Sequence, residues 1–193
     1  MLSYKDSLKI LKETNALLEG HFILSSGLHS EKYVQCAQLL SKPDKAKLIC
    51  DSLAEKIKKN FKKIDLVISP AIGGIVIGYE IGRILGIETI FAERVNDTFN
   101  LRRGFHIKKS QRVLIVEDVI TTGKSSLECS SLVKKAGADI IGYACIIDRS
   151  NGKSTIKDKI ISQIEIQIST YGENNLPKHL EKIKAIKPGS RKL

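Results

Sequence analysis

Apolar positions in the first sixty residues recur at helical spacing in two segments. Residues 3–18 predict one amphipathic helix, and residues 43–61 predict a second whose apolar side includes Leu48. Two short extended segments are predicted between the helices, at residues 21–24 and 32–37. Because these segments are short and precede any regular alternation, we expect residues 1–40 to form part of a small N-terminal cap.

From residue 64 onward, short apolar segments alternate with segments of helical periodicity. The predicted strands are residues 64–69, 88–92, 113–116 and 140–147, and the predicted helices are residues 75–85 and 125–136. This alternation predicts an α/β fold with a central, mostly parallel sheet that is flanked by helices and joined by right-handed crossovers.

Two smaller patterns complete the predicted fold. Close packing of a helix on the sheet is favoured by three glycines that recur every four residues, Gly78, Gly82 and Gly86. Near the C-terminus, a half-buried strand is predicted by the alternating residues Ile164, Ile166 and Ile168. A last short helix is predicted by Leu180, Ile183 and Ile186.

The composition places few further limits on function. A length of 193 residues suits one domain, and no internal repeat or low-complexity linker divides it. The net charge of +11 fits a nucleic-acid partner, yet lysines scattered over solvated helix faces explain it as well, so such a partner is not favoured. The four cysteines lack metal-ligand spacing, and neither a signal peptide nor a membrane span is evident. We therefore expect reduced thiols, a cytoplasmic location and no membrane partner.

Candidate chemistry is concentrated in the segment VLIVEDVITTGKSS, residues 113–126. An apolar strand ends at two carboxylates, Glu117 and Asp118, and a turn of small polar residues opens the next helix. In an open parallel sheet, ligands bind beyond the carboxyl ends of the strands. Hydroxyls, successive backbone N–H groups and a helix N-terminus suit a phosphate, while carboxylates accept hydrogen bonds from sugar hydroxyls. The inferred ligand is a ribose 5-phosphate.

Two other interpretations apply to the same segment. Gly123, Lys124 and Ser125 match the end of a Walker A loop, but that motif needs glycine where this chain has Asp118. A nucleoside triphosphatase loop is therefore excluded. An ordinary strand-to-helix turn with capping Thr and Ser is the simpler structural alternative, and the adjacent acids make the phosphate site the favoured interpretation.

Two further strand ends carry residues suited to such a ligand. Gly73 and Gly74 follow a predicted strand, where they form either a tight turn or a close backbone approach to a diphosphate. Asp148 and Arg149 follow another, and a guanidinium there can hold a carboxylate or a planar imide through paired hydrogen bonds. A salt bridge between Arg149 and a neighbouring acid is the alternative.

Polar, basic sequence interrupts the alternation between residues 93 and 109. A loop of this kind beside a ligand site is a candidate lid that excludes water once substrate is bound. A surface β-hairpin is the alternative, and both descriptions can hold for one segment.

Several separated segments together resemble one enzyme family. FILSSGLHSEKYVQ, PAIGG, FAER, LRRGF, the acid pair with TTGKS and a closing DR occur in the order found in orotate phosphoribosyltransferases, between residues 20 and 149. The resemblance implies a type I phosphoribosyltransferase fold and an enzyme that joins orotate to 5-phosphoribosyl diphosphate (PRPP). Its products would be diphosphate and orotidine 5′-monophosphate, in de novo pyrimidine (UMP) synthesis. It also implies Mg²⁺ held mainly through PRPP, and a homodimer in which a basic loop closes over the partner's site.

The resemblance assigns roles position by position. Glu117 and Asp118 are the candidate catalytic residues and would hold the ribose hydroxyls. The rest of the PRPP motif would be Val119, Ile120, Thr121, Thr122, Gly123, Lys124 and Ser125. The diphosphate would lie near Gly73, Gly74, Arg94, Arg102 and Arg103. Orotate would contact Thr121, Arg149, Ser26 and Gly27.

The chain departs from the family pattern in its basic residues. Many bacterial members carry lysines where this chain has Ser25 and Gly73. Their lid also carries lysines and a histidine near positions where this chain has Val95, Thr98 and Asn100. Arg102 and Arg103 are the candidates to supply the missing charge, and His106 is a weaker candidate proton donor.

Two other functions remain as alternatives at this point. One is a phosphoribosyltransferase for a purine or uracil, which the cap segment FILSSGLHS and Arg149 argue against. The other is a regulator of the same fold that binds nucleic acid, which only the net charge favours. No Ser-His or Cys-His arrangement suggests a protein nucleophile.

Overall fold

The computed structural model describes residues 1–24 and 26–188. Its helices are α1 Tyr4–Glu13, α2 Cys36–Leu40, α3 Pro43–Asn60, α4 Gly73–Leu85, α5 Lys124–Lys135 and α6 Lys178–Glu181. Its strands are β1 Leu17–Ile23, β2 His29–Val34, β3 Leu66–Pro70, β4 Thr89–Val95, β5 Thr98–Leu101, β6 Arg112–Ile120, β7 Asp139–Asp148, β8 Ile160–Glu165 and β9 Thr170–Tyr171. None of the helices within these ranges combines the length and apolar character needed to cross a bilayer.

Six strands form the main sheet in the order β5-β4-β3-β6-β7-β8. All neighbours pair in parallel except β5, which joins β4 antiparallel at one edge. The central strands are apolar on both faces because helices cover both. On one face α3 and α4 pack with Val67 and Leu114, and on the other α5 packs with Leu66 and Ile115. The predicted α/β fold with a mostly parallel, helix-flanked sheet is confirmed.

A second, smaller sheet has the order β1-β2-β9. β1 and β2 pair antiparallel, and β9 adds to β2 through the pair His29 and Tyr171. Phe22 of β1 also forms a bridge with Ile186. This cap sheet therefore combines strands from both ends of the chain, whereas α1 packs into the main core through Leu11.

The N-terminal elements differ from the pattern-based prediction in three respects. α1 ends at Glu13 because Asn15 adopts a positive φ of 58°, and Leu17 begins β1 instead of continuing the helix. The short helix α2 was not predicted, since five residues carry too little periodicity. Leu48, predicted on the apolar side of α3, is 46% exposed.

Two later elements also differ. β6 continues to Ile120 instead of ending at residue 116, because Glu117 and Val119 stay in register with β7. The two acids therefore lie within the strand and not after it. The last predicted helix is shortened to α6, and Ile183 and Ile186 lie beyond it.

α4 packs closely on the sheet through Gly78 and Gly82, as their spacing predicts. A Cβ at Gly82 would lie 2.9 Å from the backbone oxygen of Ile87 and would also meet Thr89. Because backbone cannot give way as a side-chain tip can, Gly82→Ala is expected to lower the free energy of unfolding by about 1–3 kcal/mol in urea titrations. Gly172→Ala is the matched control, since a Cβ there meets nothing within 4 Å. Equal transition midpoints for the two variants would contradict this account.

Candidate active site

The topology gathers three of the predicted motifs at one edge of the main sheet. β3, β6 and β7 are adjacent and parallel, so the segments that follow their carboxyl ends lie side by side. These segments contain Gly73, Thr121 and Arg149, respectively. The chain runs outward from β3 to β4 and β5, then from β6 in the other direction to β7 and β8. Open α/β sheets bind ligands where the strand order reverses in this way, here between β3 and β6.

Asp118 and Gly73 meet across this crevice. A Cβ at Gly73 would lie 3.0 Å from both carboxylate oxygens of Asp118, so glycine lets the first turn of α4 approach the acid. Asp118 Oδ1 accepts a hydrogen bond of 2.9 Å from the Val119 N–H. Cys36 Sγ, at the start of α2, donates a weak hydrogen bond to the Asp118 carbonyl oxygen at 3.9 Å. The structure thus brings together the acid pair and the first residue of the predicted diphosphate turn.

Glu117 is buried and Asp118 is half-buried, and neither has a cationic partner in the described ranges. Glu117 is only 7% exposed, and neither acid joins an ion pair among residues 1–24 and 26–188. Burial, reinforced by the neighbouring Asp118 carboxylate, raises the pKa of Glu117 to about 9. Burial also raises the pKa of Asp118. Hydroxyl donors or a cation would stabilise such a pair of acids.

The turn after β6 forms the wall of a small cavity of about 150 Å³. The cavity is lined by Glu117, Val119, Ile120, Thr121, Thr122, Gly123, Lys124, Ser125 and Ser126. Gly123 adopts a φ of 84°, and a Cβ there would lie 2.7 Å from Ile156, so both conformation and space require glycine. The wall includes the N-terminus of α5, whose N–H groups and positive dipole end suit an anion such as phosphate.

Arg149 stands beside Thr121, at the ends of neighbouring strands. Its backbone N–H donates to the Ile120 carbonyl at 2.9 Å, which extends the β6–β7 ladder. The side chain is half-buried, and burial lowers the pKa of its guanidinium. A salt bridge to a neighbouring acid, the alternative considered from sequence, does not occur within the described ranges, and Asp148 instead accepts the Ser150 N–H. Arg149 is therefore free of competing carboxylates among these residues.

The segment considered as a lid or a hairpin contains a hairpin. β4 and β5 are joined by Asn96 and Asp97, which both adopt positive φ, as a tight two-residue turn requires. Arg94 donates to Glu128 of α5 at 2.6 Å and ties this hairpin to the helix that follows the phosphate turn. Whether the hairpin also closes as a lid stays a prediction.

The three candidate diphosphate-binding arginines, Arg94, Arg102 and Arg103, do not line the cavity of the phosphate turn. Besides Arg94, Arg103 makes two hydrogen bonds to the Glu93 carboxylate, at 2.9 and 3.1 Å. Arg102 directly follows β5 and precedes Arg103 in the sequence, and it is exposed. The ion pairs hold Arg94 and Arg103 near the sheet edge at which the motifs meet, but the structure does not join these arginines to the cavity.

Ser26 and Gly27 lie in the turn between β1 and β2. Gly27 N–H donates to the Leu24 carbonyl at 2.9 Å, and Ser26 Oγ accepts from the Leu28 N–H at 3.4 Å. Neither residue lines the cavity of the phosphate turn, so the structure does not bring them to it. The family departure at Ser25 lies outside the described residues.

Residues 154–156 contact the phosphate turn, and sequence reasoning missed them. Thr155 donates two hydrogen bonds to the Thr122 carbonyl, from its N–H at 3.0 Å and from Oγ1 at 2.8 Å. Ile156 covers Gly123. The segment belongs to none of the motifs, and Thr155 is 33 residues from Thr122, so no sequence signal pointed to it.

Comparison with known proteins identifies the family. A model described as the phosphoribosyl transferase domain matches residues 37–182, a span that includes the acid pair, the phosphate turn and Arg149. The chain belongs to the phosphoribosyltransferase family. Two relatives are each called orotate phosphoribosyltransferase and share 47% identity with this chain. The protein of Parvibaculum lavamentivorans aligns over 96% of this chain and 98% of its own length, and that of Bartonella quintana over 100% of both.

Solved phosphoribosyltransferase structures share the fold. An orotate phosphoribosyltransferase from Aeropyrum pernix has a TM-score of 0.69 at 24% identity, over 82% of this chain and 92% of that chain. An adenine phosphoribosyltransferase from Thermoanaerobacter pseudethanolicus has a TM-score of 0.60 at 20% identity, over 70% of this chain and 88% of that chain. Because these enzymes are named for different bases, the phosphoribosyltransferase fold by itself does not select the base.

Proposed function

We propose that this phosphoribosyltransferase transfers the 5-phosphoribosyl group of PRPP to orotate, giving orotidine 5′-monophosphate and diphosphate in de novo UMP synthesis. The observation that carries the proposal is the 47% identity, over nearly the full chain, with relatives named for this activity. The adjacent acids Glu117 and Asp118, the phosphate turn and Arg149 provide chemistry that suits both substrates.

The mechanism follows from the charges that develop. Breaking the bond between the anomeric carbon and diphosphate leaves positive charge on the sugar and negative charge on the leaving group. The N–H groups of residues 121–125 would hold the 5′-phosphate, and Glu117 and Asp118 would accept hydrogen bonds from the ribose hydroxyls. A ring nitrogen of orotate then bonds to the anomeric carbon, so no protein nucleophile is needed. Holding both reactants in line is the main contribution of the protein.

Mg²⁺ is the proposed cofactor. Two adjacent acids, one buried and one half-buried and both without a cationic partner in the described ranges, fit a hard cation with oxygen ligands. Within those ranges, no three His, Cys, Asp or Glu side chains are grouped to hold a metal ion by themselves. The proposal therefore has Mg²⁺ held mainly through PRPP oxygens, with Glu117 and Asp118 adjacent. When bound, the ion would neutralise negative charge on the departing diphosphate.

The diphosphate is proposed to lie toward Gly73, Gly74 and the β4–β5 hairpin. A diphosphate carries more negative charge than a single carboxylate, so it would compete with Glu93 and Glu128 for Arg103 and Arg94. Together with Arg102, these arginines would supply the charge that lysines supply in many relatives.

Orotate is proposed to contact Arg149 and Thr121, and Arg149→Lys tests this role. Lysine keeps the charge but loses the paired N–H groups that match a carboxylate, so the KM for orotate should rise about tenfold while the KM for PRPP changes little. Arg83→Lys on α4, an exposed arginine paired with Glu80, is the matched control. Steady-state kinetics with each substrate varied would measure both constants. An R149K enzyme with an unchanged KM for orotate would remove Arg149 from the base site.

A homodimer in the cytoplasm is the proposed working form. α4 and the residue before its first turn present three exposed apolar side chains at helical spacing, Ile72, Val76 and Tyr79, which are 86, 51 and 65% exposed. Exposed apolar groups of this kind mark interaction surfaces. The four cysteines are free and buried, as suits a reducing compartment. Light scattering after size exclusion should give twice the mass of 21.4 kDa.

Diphosphate release from PRPP with Mg²⁺, measured separately with orotate, uracil, adenine and hypoxanthine, tests the proposed reaction. Release with orotate alone is expected. Release with another base would retain the phosphoribosyl transfer but overturn the assigned substrate. No release with any base, together with salt-sensitive RNA binding, would favour a regulator.

A further inference from the structure

One backbone carbonyl of the phosphate turn is held by three donors from a distant loop. The Thr122 oxygen accepts hydrogen bonds from the Thr155 N–H at 3.0 Å, from Thr155 Oγ1 at 2.8 Å and from Ser154 Oγ at 3.4 Å. The next residue, Ile156, is 7% exposed and belongs to the core on the α5 face of the sheet. The loop is therefore anchored in the core immediately beside its contact with the turn.

The direction of this carbonyl fixes the direction of the next N–H. The Thr122–Gly123 peptide is trans, and in a trans peptide the C=O and N–H groups point in opposite directions. The donors of Thr155 and Ser154 draw the carbonyl toward the loop, so the Gly123 N–H points away from it.

The loop does not border the cavity of the turn. No residue of the segment 150–160 lines the cavity, whereas Thr122 and Gly123 both do. The Gly123 N–H has no hydrogen-bond acceptor among residues 1–24 and 26–188. An N–H group that is turned away from the loop and not used by the described residues is available to an anion in the cavity.

We infer that Thr155 is a positioning residue for the PRPP site, because it fixes the Thr122–Gly123 peptide so that the Gly123 N–H faces the 5′-phosphate. This inference rests on the proposed function, in which the turn holds that phosphate. Thr155 does not touch the substrate. Its effect passes through the backbone of the turn, so it should act on the phosphate and not on the base.

Thr155→Val tests the inference, because valine keeps the shape but lacks the hydroxyl donor. T155V should raise the dissociation constant of ribose 5-phosphate, measured by calorimetry, and the KM for PRPP about fivefold each. The KM for orotate should stay within about twofold of wild type, since the base site does not depend on this carbonyl. Thr155→Ser restores the hydroxyl and should return both phosphate-dependent constants to near wild type, and Thr155→Ala repeats the test without a β-branched side chain.

Ser131→Ala is the matched control, since Ser131 also donates its hydroxyl to a backbone carbonyl, that of Leu127, at 3.2 Å on α5. The S131A variant should leave all these constants unchanged. Unchanged ribose 5-phosphate affinity in T155V and T155A would overturn the positioning role. Equal changes in both KM values with a lower melting temperature would also overturn it, because that result indicates general loosening. If wild type itself binds neither ribose 5-phosphate nor PRPP, the proposed function fails first.

Discussion

Asp118→Asn is expected to lower kcat/KM for PRPP at least 100-fold while the protein stays folded. Asn keeps the size of the side chain and an oxygen that can accept the Val119 N–H, so local packing is preserved. It removes the negative charge that would orient the ribose and balance Mg²⁺ and the positive sugar. Loss of one preorganised charged group at a reacting centre typically costs about 10²–10³ in rate.

The melting temperature of D118N should equal or exceed that of wild type, because burial of the Asp118 carboxyl disfavours its charged form. Asp139→Asn is the matched control, since Asp139 is exposed at the opposite end of the same strand pair, where it faces Arg112 in register. Orotate-dependent diphosphate release gives the activity and thermal unfolding gives the stability. A D118N variant with wild-type activity would exclude Asp118 from the reaction.

Glu117→Gln is expected to raise stability above about pH 5 and to lower activity. The folded protein keeps the Glu117 proton up to its raised pKa of about 9, whereas an unfolded chain loses it near the ordinary value of 4.5. Between these pH values the folded state binds more protons, so the stability of wild type falls as pH rises. Glutamine cannot ionise, and at pH 8 E117Q should exceed wild type by about 1–3 kcal/mol in the free energy of unfolding.

The shape of the pH dependence distinguishes this effect from a general one. The difference between E117Q and wild type should be small near pH 4.5, grow up to about pH 9 and then level off. Glu173→Gln, at an exposed glutamate, is the control and should leave the wild-type curve unchanged. A constant difference across pH, or an E117Q variant less stable than wild type at pH 8, would contradict the burial cost assigned to Glu117. The combination of gained stability and lost activity would identify the acid as kept for function.

The central part of the fold could be predicted because its signals are local and strong. Apolar runs bounded by helical periodicity placed β3, β6, β7, α4 and α5 to within a few residues, whereas the order of the strands in the sheet, and with it the switch point, came from the structure. The predicted element boundaries were wrong where a residue type is unusual for the environment it occupies. β6 extends through Glu117 because pairing with Cys145 of β7 retains it, although an acid in a buried strand breaks the apolar pattern.

Other features had weaker local signals. α1 ends because Asn15 adopts a left-handed conformation. The sequence does not reveal this end, because the following Leu17 and Leu18 fit the apolar pattern of a continuing helix. The pair Asn96 and Asp97 does carry a hairpin signal, because both residues tolerate the positive φ of a two-residue turn. The basic character of the surrounding sequence also fits a lid, so the sequence left both descriptions open.

The candidate site likewise has features that the sequence could predict and features that it could not. The contiguous residues 117–125 could be predicted because one segment supplies strand, acids and turn. The approach of Gly73 to Asp118 follows from adjacent parallel strands, so topology was sufficient. The contact of Thr155 with Thr122 depends on how a long loop folds back from β7, and no residue pattern encodes it. The ion pairs of Arg94 and Arg103 likewise depend on side-chain packing that a sequence pattern does not contain.

A crystal structure of the protein with orotidine 5′-monophosphate tests the central claim most directly. The nucleotide phosphate is expected within hydrogen-bond distance of the N–H groups of residues 122–125, with the ribose hydroxyls on Glu117 and Asp118 and the base carboxylate on Arg149. A nucleotide whose phosphate lies outside the 150 Å³ cavity of the turn, or whose ribose does not approach the two acids, would contradict it.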